Sequence, residues 1–266
     1  MKLDIFFAQN PIFRWQIFSS FLTSNGSTNL PSQRTLLAYH HKAGNIVMIR
    51  RGLYACVPPG ESPNQISIDP YLIAAYLHND SLLAYHTALS LHGYAYSLRS
   101  EYCYLTHHFA LPFYFRDIVY KPVAYPNSLL RRKQTSFAIQ TLYRNGLPIK
   151  LTSLERTMVD LLDRPDLSGG WEEIWRSLQT VQYFNLDILI DYALLLDNAT
   201  TIAKVGFFLE QHKERLMVTS LHLTRLLARI PKQPHYLTPK LKIGSLVHKW
   251  NLIVPQHILL NQWDEL

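Results

Sequence analysis

The chain has 266 residues, of which 48% are hydrophobic and 12% aromatic, a composition typical of folded globular proteins and not of disordered ones. This length suits two or three small domains, each with a modest core of its own. Two cysteines are too few for a disulfide framework, and no apolar run approaches the roughly 18 residues of a membrane span. We therefore expect a soluble, cytoplasmic protein without a membrane partner.

The formal net charge of +7 is concentrated near the N-terminus. Residues 1–60 carry six basic side chains against one acidic one, residues 61–150 carry eight against five, and residues 151–266 carry twelve against thirteen. A basic excess in the first segment indicates that this segment meets a polyanion. From charge alone, a basic surface that only keeps the protein soluble explains the pattern equally well.

The first segment has the element order helix, turn, helix, hairpin. Asn10-Pro11 predicts the start of an amphipathic helix whose inner face carries Ile12, Trp15, Phe18 and Leu22. After the turn cluster S-N-G-S-T-N, a second helix is predicted from L-P-S-Q to Gly44, with Leu30, Leu37 and, as a third candidate, His41 facing inward. The stretch N-I-V-M-I-R-R-G-L-Y-A-C-V then alternates as two strands do. This order is that of a winged helix-turn-helix.

In a winged helix, the second helix enters the DNA major groove and the hairpin lies along the phosphate backbone. Arg50 and Arg51 are consecutive strand residues, so one can lie over the core while the other is offered outward. Gly52 is expected to mark a bend or bulge behind them. The predicted DNA-binding residues are Ser32, Gln33, Arg34, Thr35, Tyr39, His40, Lys42, Arg50 and Arg51. A small helical cap with solvated arginines is the competing interpretation, but sign, position and element order together favour DNA.

The clearest linker is P-P-G-E-S-P-N-Q, which predicts a domain boundary near residue 62. We expect a winged-helix domain over residues 1–62 and an α+β domain over residues 63–266. Within the latter, residues 63–170 are expected to be mixed α/β and residues 171–266 mostly helical, with I-V-P near the end adding a strand or only closing the bundle. Four strands of a small, mostly antiparallel sheet are predicted from E-Y-C-Y-L-T-H, D-I-V-Y-K-P-V-A-Y, F-A-I-Q-T-L-Y and P-I-K-L-T.

No residue pattern predicts catalysis, a cofactor or a metal site. The twelve histidines include no C-x-x-C, H-E-x-x-H or carboxylate partner set, and His86 and His92 are interpreted as structural. The acidic residues after residue 152 have plain roles: Glu155 is expected to close a T-S-L-E capping box, and Asp163 to pair with Arg164. A partner interface is the one functional alternative for these acids. The chain is therefore not expected to be an enzyme.

Several motifs, in this order, resemble the AbiEi-type antitoxin family of abortive-infection toxin–antitoxin operons. They are R-R-G-L-Y (residues 50–54), D-P-Y-L-I-A-A, A-L-S-L-H-G (residues 88–93) and L-E-R-T-M-V-D-L-L-D-R-P-D-L-S-G-G (residues 154–170). The last motif is the most specific, and the resemblance covers most of the chain. Matched to this motif, Glu155, Arg156 and Asp160 are interpreted as a structural signature that provides a cap and a solvated helix edge.

The resemblance implies a bacterial type IV antitoxin that acts in phage defence. Its winged helix would bind double-stranded DNA at inverted repeats in its own promoter and repress the operon. The rest of the chain would neutralise a nucleotidyltransferase-like toxin, in that family without a stable complex. Two alternatives remain at the level of sequence: a stand-alone regulator whose C-terminal region binds a ligand or another protein, and, less favoured, a nuclease guided by the winged helix.

Overall fold

The computed structural model describes residues 2–238 and 243–260, and it has the α+β composition expected from the sequence. Twelve α-helices and three small sheets occur within this part of the chain. Contacts divide the chain into two compact units. The first comprises Met1–Leu83, Ser100–Pro122 and Thr141–Lys150, and the second comprises Ala84–Arg99, Val123–Gln140 and Leu151–Leu266. The boundary predicted near residue 62 falls inside the first unit, and the chain enters that unit three times.

The first unit begins with three helices and a three-stranded antiparallel sheet of order β1-β3-β2. The elements are α1 (Lys2–Gln9), β1 (Ile12–Arg14), α2 (Trp15–Ser24), α3 (Leu30–Lys42), β2 (Ile46–Arg50) and β3 (Leu53–Cys56). The helix predicted from Pro11 begins only at Trp15, because Ile12 pairs with Ala55 and holds the preceding residues in a strand. Neither α1 nor β1 was predicted from the sequence.

Helix α3 has the predicted bounds, but its inner face differs from the prediction. Asn29 caps the helix by accepting a hydrogen bond from the Ser32 N–H at 3.0 Å. Beyond its C-terminal end, Gly44 has a φ of +79°, a conformation that favours glycine. Leu37 is buried as expected, whereas Leu30 is exposed.

A cluster of apolar side chains joins α1, β1, α2, α3 and β2 into one small core. Phe6, from the helix that was not predicted, makes edge contacts with Phe13 and Phe18 at ring distances of 5.3 and 5.5 Å. The buried members of the cluster are Phe6, Phe13, Phe18, Leu22, Leu37 and Ile46. Burial of each large side chain contributes about 1.5–3 kcal/mol, so α1 is part of the folded core.

The middle of the chain contributes a six-stranded sheet of order β6-β7-β5-β4-β9-β8. Its elements, with helix α4 before them, are α4 (Pro70–Tyr76), β4 (Leu82–Leu83), β5 (Glu101–Thr106), β6 (Phe113–Phe115), β7 (Ile118–Ala124), β8 (Ile139–Arg144) and β9 (Leu147–Thr152). The four predicted strands correspond to β5, β7, β8 and β9. The pairs β4–β5 and β6–β7 are antiparallel.

The second unit is mostly helical, as predicted for the C-terminal region. Its helices are α5 (Tyr85–Leu91), α6 (Asn127–Arg131), α7 (Leu154–Asp163), α8 (Trp171–Thr180), α9 (Leu186–Leu196), α10 (Ala199–Gln211), α11 (Ser220–Leu227) and α12 (Gln256–Leu259). A small sheet of order β10-β12-β11 is formed by β10 (His235–Tyr236), β11 (Ser245–Val247) and β12 (Leu252–Val254), and two short 3-10 helices span Pro165–Leu167 and His248–Trp250. The I-V-P segment thus adds a strand.

Helix α7 carries the most specific sequence motif, and two of the roles predicted for its residues are wrong. Ser153, not Thr152, is the N-cap, and its side chain accepts from the Arg156 N–H. Glu155 instead accepts from the Asn185 N–H at 3.1 Å. Arg156 is fully buried and Asp160 nearly so, hence they do not form a solvated edge.

Local ion pairing after α7 also differs from the prediction. Arg164 pairs with Asp166 at 3.0 Å. Asp163 accepts hydrogen bonds from the side chains of Asn198 and Thr201.

The two predicted structural histidines are held by polar partners: His86 Nε2 lies 3.1 Å from Glu173 Oε1, and His92 Nε2 lies 2.8 Å from the Thr152 carbonyl oxygen.

None of the helices within residues 2–238 and 243–260 combines the length and apolar character needed to cross a bilayer.

Candidate nucleic-acid interface

Helix α3 presents five of the seven side chains that were predicted on it to solvent. Ser32, Arg34, Thr35, Tyr39 and Lys42 are exposed, with 64% of the Tyr39 side chain accessible. The Thr35 hydroxyl donates to the Pro31 carbonyl oxygen at 3.1 Å, so it is partly used within the helix. Arg34 and Lys42 form no ion pair with any residue that the structure describes. The exposed face of α3 is therefore polar and cationic.

Gln33 was predicted to read DNA, and this prediction is wrong because its side chain is fully buried. Its amide oxygen accepts from the Ser19 hydroxyl at 2.6 Å, and its amide nitrogen donates to the Thr23 hydroxyl at 3.1 Å. The same nitrogen donates to the Ser27 carbonyl oxygen. A side chain with these three partners joins α3 to α2 and to the turn between them, and it has no free edge for a base.

His40 is half-buried, which makes it the least exposed of the remaining predicted residues on α3. Its ring contacts the Phe7 ring edge-on at 5.1 Å, and Nδ1 lies 3.0 Å from Asn45 Nδ2. Burial lowers the pKa of His40, and the nearby Asp4 carboxylate opposes that shift only in part. The imidazole therefore packs against α1.

The β2–β3 hairpin places its two arginines in different environments, as predicted. Arg50 is the last residue of β2, pairs with Leu53 across the hairpin and is half-buried, whereas Arg51 is exposed in the turn. Gly52 follows with a φ of +87°, and its carbonyl oxygen accepts from the Trp15 N–H at 2.9 Å. The hairpin turn is thereby fixed to the start of α2. A register shift between Met48 and Arg50 shows a bulge just before the arginines.

A groove of about 540 Å³, here called the α3 groove, lies between α3, the start of α2 and the hairpin. Its lining residues are Trp15, Gln16, Arg34, Leu37, Ala38, His41, Met48, Arg51, Gly52 and Tyr54. The structure thus brings together Arg34 and Arg51, which are seventeen positions apart in the sequence. Sequence reasoning missed Trp15, Gln16 and Met48 because they reach the groove only through the packing of the hairpin on α2. Of these three residues, Met48 is the one that the sequence could have indicated. It is 47% exposed and precedes buried Ile49, as the alternation of a strand predicts.

Electrostatics in this region are dominated by unpaired cations. Within residues 2–238 and 243–260, no carboxylate lies within ion-pair distance of Arg50 or Arg51. Burial lowers the pKa of the Arg50 guanidinium, and the nearby Tyr104 opposes that shift. The described part of the chain contains no group of three or more His, Cys, Asp or Glu side chains that could hold a metal ion.

Comparisons with known proteins identify the fold but not a family. No protein-family model matches the chain, and no curated protein matches it. One solved structure that resembles it is the crystal structure of the Rv2827c protein from Mycobacterium tuberculosis, with a TM-score of 0.60 and 18% sequence identity. The match covers 98% of this chain and 92% of the other. At this identity the likeness concerns the fold alone, and it extends over both units.

Proposed function

We propose that the first unit binds double-stranded DNA as a winged helix-turn-helix. The observation that carries the proposal is that Arg34 of α3 and Arg51 of the hairpin turn line one groove, without a carboxylate partner in the described chain. The order α1, β1, α2, α3, β2, β3 and the sheet β1-β3-β2 support it. In such a domain α3 is the recognition helix and the hairpin is the wing.

Base readout and backbone positioning fall to different residues under this proposal. Arg34 and Tyr39 are the exposed side chains on α3 with the reach to contact base edges, and a bidentate arginine–guanine pair discriminates by about 1–3 kcal/mol. Arg51 and Lys42 contact phosphates, which position the protein without reading sequence. Four to six phosphate contacts per protomer would give a log–log salt slope of roughly −4 to −5.

The biological role that we propose is a non-enzymatic antitoxin that represses its own operon. The support is the resemblance of its ordered motifs to AbiEi-type antitoxins, together with the exposed cationic side chains of α3 and the hairpin turn. The second unit would neutralise a nucleotidyltransferase-like toxin encoded beside it. The inverted repeats of such a promoter require two protomers on one operator.

The test uses the full chain and separates the two activities. Binding to a duplex from the region upstream of the gene is measured by fluorescence anisotropy, against a shuffled duplex. Growth is scored on co-expression with the neighbouring gene product. We expect the double variant Arg34→Ala/Arg51→Ala to lose operator binding and repression but to rescue growth as the wild type does. Lys150→Ala removes an exposed charge from β9 and is the matched control.

Three outcomes contradict parts of this proposal. A double variant that binds the operator like the wild type shows that the α3 groove does not contact DNA. A folded wild-type chain that binds no duplex refutes the DNA-binding assignment altogether. A wild-type chain that fails to rescue growth from a toxic neighbour refutes the antitoxin assignment.

A stand-alone regulator is the second candidate, and a groove of about 670 Å³ in the second unit favours it. The groove is lined by the apolar side chains of Phe137 and Leu194 and by three arginines. Arg132 pairs with Asp197 and Arg225 with Asp187 and Asp191, so among the described residues Arg229 is the lining arginine without an ion pair. A largely apolar ligand with one anionic group has the chemistry to fit such a groove. A neighbouring gene without a nucleotidyltransferase-like product, together with sequence-specific DNA binding, would favour this candidate.

A further inference from the structure

A second cavity of about 430 Å³, here called the basic cleft, lies on the first unit beside the hairpin turn. It shares Gln16, Arg51 and Gly52 with the α3 groove, but no residue of α3 lines it. The arginines and histidines that line the basic cleft are Arg14, Arg50, Arg51, His78 and His108. Two of them, His78 and His108, lie beyond the segment that was predicted to bind DNA.

Arg14 builds the wall of the basic cleft. Its Nε donates to the Tyr76 carbonyl oxygen at 2.9 Å, and its other nitrogens donate to the His78 carbonyl oxygen and the Asn79 side chain. The guanidinium also lies 5.6 Å from the centre of the Tyr76 ring. These contacts fix the chain after α4 against β1. Arg14 therefore positions His78, and it uses three of its five N–H donors in these contacts.

Arg50 and Arg51 are the cations of the cleft that remain available. Neither has a carboxylate within ion-pair distance in residues 2–238 and 243–260. Burial and then the positive charge of Arg50 lower the pKa of Arg14, although Tyr76 opposes the shift. Like charges that converge in a partly buried space are costly, and an anion bound between them removes that cost.

His78 adds an imidazole whose Nδ1 is buried and has no hydrogen-bond partner among the described residues. Burial lowers its pKa first and the charge of Arg50 second. The acid that opposes these shifts is Asp80, which accepts from the Thr106 hydroxyl and the His107 N–H and lies 4.0 Å from His108 Nε2. One carboxylate beside the three guanidinium groups of Arg14, Arg50 and Arg51 leaves the basic cleft with a net positive charge.

We propose that the basic cleft is a second phosphate-binding site. It holds a backbone phosphodiester group of the same DNA duplex that α3 contacts. The proposal rests on the DNA-binding function argued above and adds a contact that does not read sequence. Arg50 is the main ligand, because a guanidinium donates two parallel hydrogen bonds to phosphate oxygens. Arg51 lies where the basic cleft meets the α3 groove, and His78, whose Nδ1 is buried, contributes through its charge when protonated.

Phosphate binding in this cleft is coupled to a proton. Without an anion, burial and the charge of Arg50 lower the pKa of His78 and so favour the neutral imidazole. A phosphate beside the imidazole raises that pKa, so binding takes up a proton and affinity rises as the pH falls. The charged and titratable groups facing His78 are Arg14 before α2, Arg50 of β2, Asp80 after α4, Tyr104 of β5 and His108 after β5.

The test compares Arg50→Gln and His78→Gln with the control Lys150→Gln, which removes one charge from β9 outside both cavities. Anisotropy is recorded over a range of salt concentrations with the upstream duplex and with a shuffled duplex. We expect Arg50→Gln to weaken both duplexes by a similar factor and to reduce the salt slope by about 1. The affinity of the wild type for DNA should increase as the pH falls from 7.5 to 6, and His78→Gln should remove part of this increase. The control should behave as the wild type, and thermal melting verifies that each variant is folded.

A second measurement does not depend on DNA. The pKa of His78 is followed by imidazole NMR during titration with inorganic pyrophosphate, and it should rise in the wild type but not in Arg50→Gln. If the wild type binds no duplex yet His78 responds to pyrophosphate, the DNA-binding function fails and the cleft stands as a site for a free phosphate compound. If Arg50→Gln leaves the salt slope unchanged and pyrophosphate leaves His78 unchanged, the proposal is overturned.

Discussion

Gln33 and Arg34 are neighbours on α3 with opposite environments. The Gln33 amide is enclosed and satisfied by three partners from α2 and the following turn, whereas Arg34 is exposed and lines the α3 groove. A polar residue on a presumed recognition helix is therefore not by itself a reader of bases. Which of two adjacent polar residues faces outward depends on the helix packed behind them.

Gln33→Ala should lower the free energy of unfolding by about 2 kcal/mol, because it removes a fully buried side chain together with its three hydrogen bonds to Ser19, Thr23 and Ser27. Urea denaturation of the full chain measures the change. Ser32→Ala, at an exposed position on the same helix, should stay within about 0.5 kcal/mol of the wild type. A Gln33→Ala protein of unaltered stability whose base preference has changed would contradict the structural role.

Arg156 is a second polar residue whose burial depends on the elements packed around its helix. It is an arginine with no exposed surface. Its Nη1 donates to the carbonyl oxygens of Thr135 and Phe137 at 2.9 and 2.7 Å, and its Nε lies 3.6 Å from Asp160 Oδ2. The Tyr192 hydroxyl donates to the other carboxylate oxygen at 2.6 Å. Burial raises the pKa of Asp160 to about 6, although Arg156 opposes the shift.

Arg156→Met should destabilise the chain by about 3–5 kcal/mol near pH 8, because it leaves a buried carboxylate without its cation. The loss should be smaller at pH 5. A group whose pKa is raised in the folded state adds stability as it is protonated, and without Arg156 the pKa of Asp160 rises further. Urea denaturation at the two pH values checks this, and an equal loss at both would show that Asp160 is not the group responsible.

At the scale of elements, Glu173 of α8 holds α5 and the chain after it together. Its carboxylate accepts from the Tyr96 N–H at 2.9 Å and from the Ser97 N–H and hydroxyl at 3.2 and 2.6 Å. His86 Nε2 of α5 lies 3.1 Å from the same carboxylate. Burial alone would raise the pKa of Glu173, but the hydrogen bonds from His86 and Ser97 outweigh it and bring the pKa down to about 2.

Glu173→Gln should lower the free energy of unfolding by about 2–3 kcal/mol at pH 7. The lowered pKa means that the ionised carboxylate stabilises the fold above about pH 4.5, and that this contribution is lost as the pH falls toward 2. The difference between wild type and variant should therefore shrink over that range in chemical denaturation. Glu172→Gln breaks only the partly exposed pair with Arg176, and it should cost less than about 0.5 kcal/mol at any pH.

At the scale of the whole molecule, residues 1–62 lie within a larger compact unit that also contains residues from two later segments. Arg14 hydrogen-bonds to the chain that follows α4, and Arg116, which precedes β7, donates to the carbonyl oxygens of Pro63 and Ile66. The P-P-G-E-S-P-N-Q segment connects parts of one compact unit.

Deletion of residues 1–62 should remove hydrogen-exchange protection from α4, because that helix packs against β1 and the carbonyl oxygens near its end accept from Arg14. We expect the α4 amides of fragment 63–266 to exchange at least tenfold faster than in the full chain. Helices α9 and α10 of the second unit should keep their protection and are the internal control. Unchanged protection of α4 would restore the sequence-based boundary near residue 62.

Local sequence signals determined much of the chain. The bounds of α3 follow from Asn29, Pro31 and Gly44, because capping and the left-handed end of a helix act within a few residues. The strands β5, β7, β8 and β9 and most C-terminal helices follow from hydrophobic periodicity. The cationic hairpin turn was also predicted from local signals, since Arg51 is exposed in a tight turn in which Gly52 has a positive φ.

Only the tertiary structure decided which polar residues are free. Gln33 has its hydrogen-bond partners 6–14 positions away, and Arg156 has its carbonyl partners 19 and 21 positions away. The basic cleft joins Arg50 to His78 and His108 through the packing of separate segments. Periodicity reports the apolar face of an element but not the burial of a polar group, which depends on whether distant partners satisfy its hydrogen bonds. The return of the chain into the first unit at residues 100–122 and 141–150 is likewise a property of long-range strand pairing.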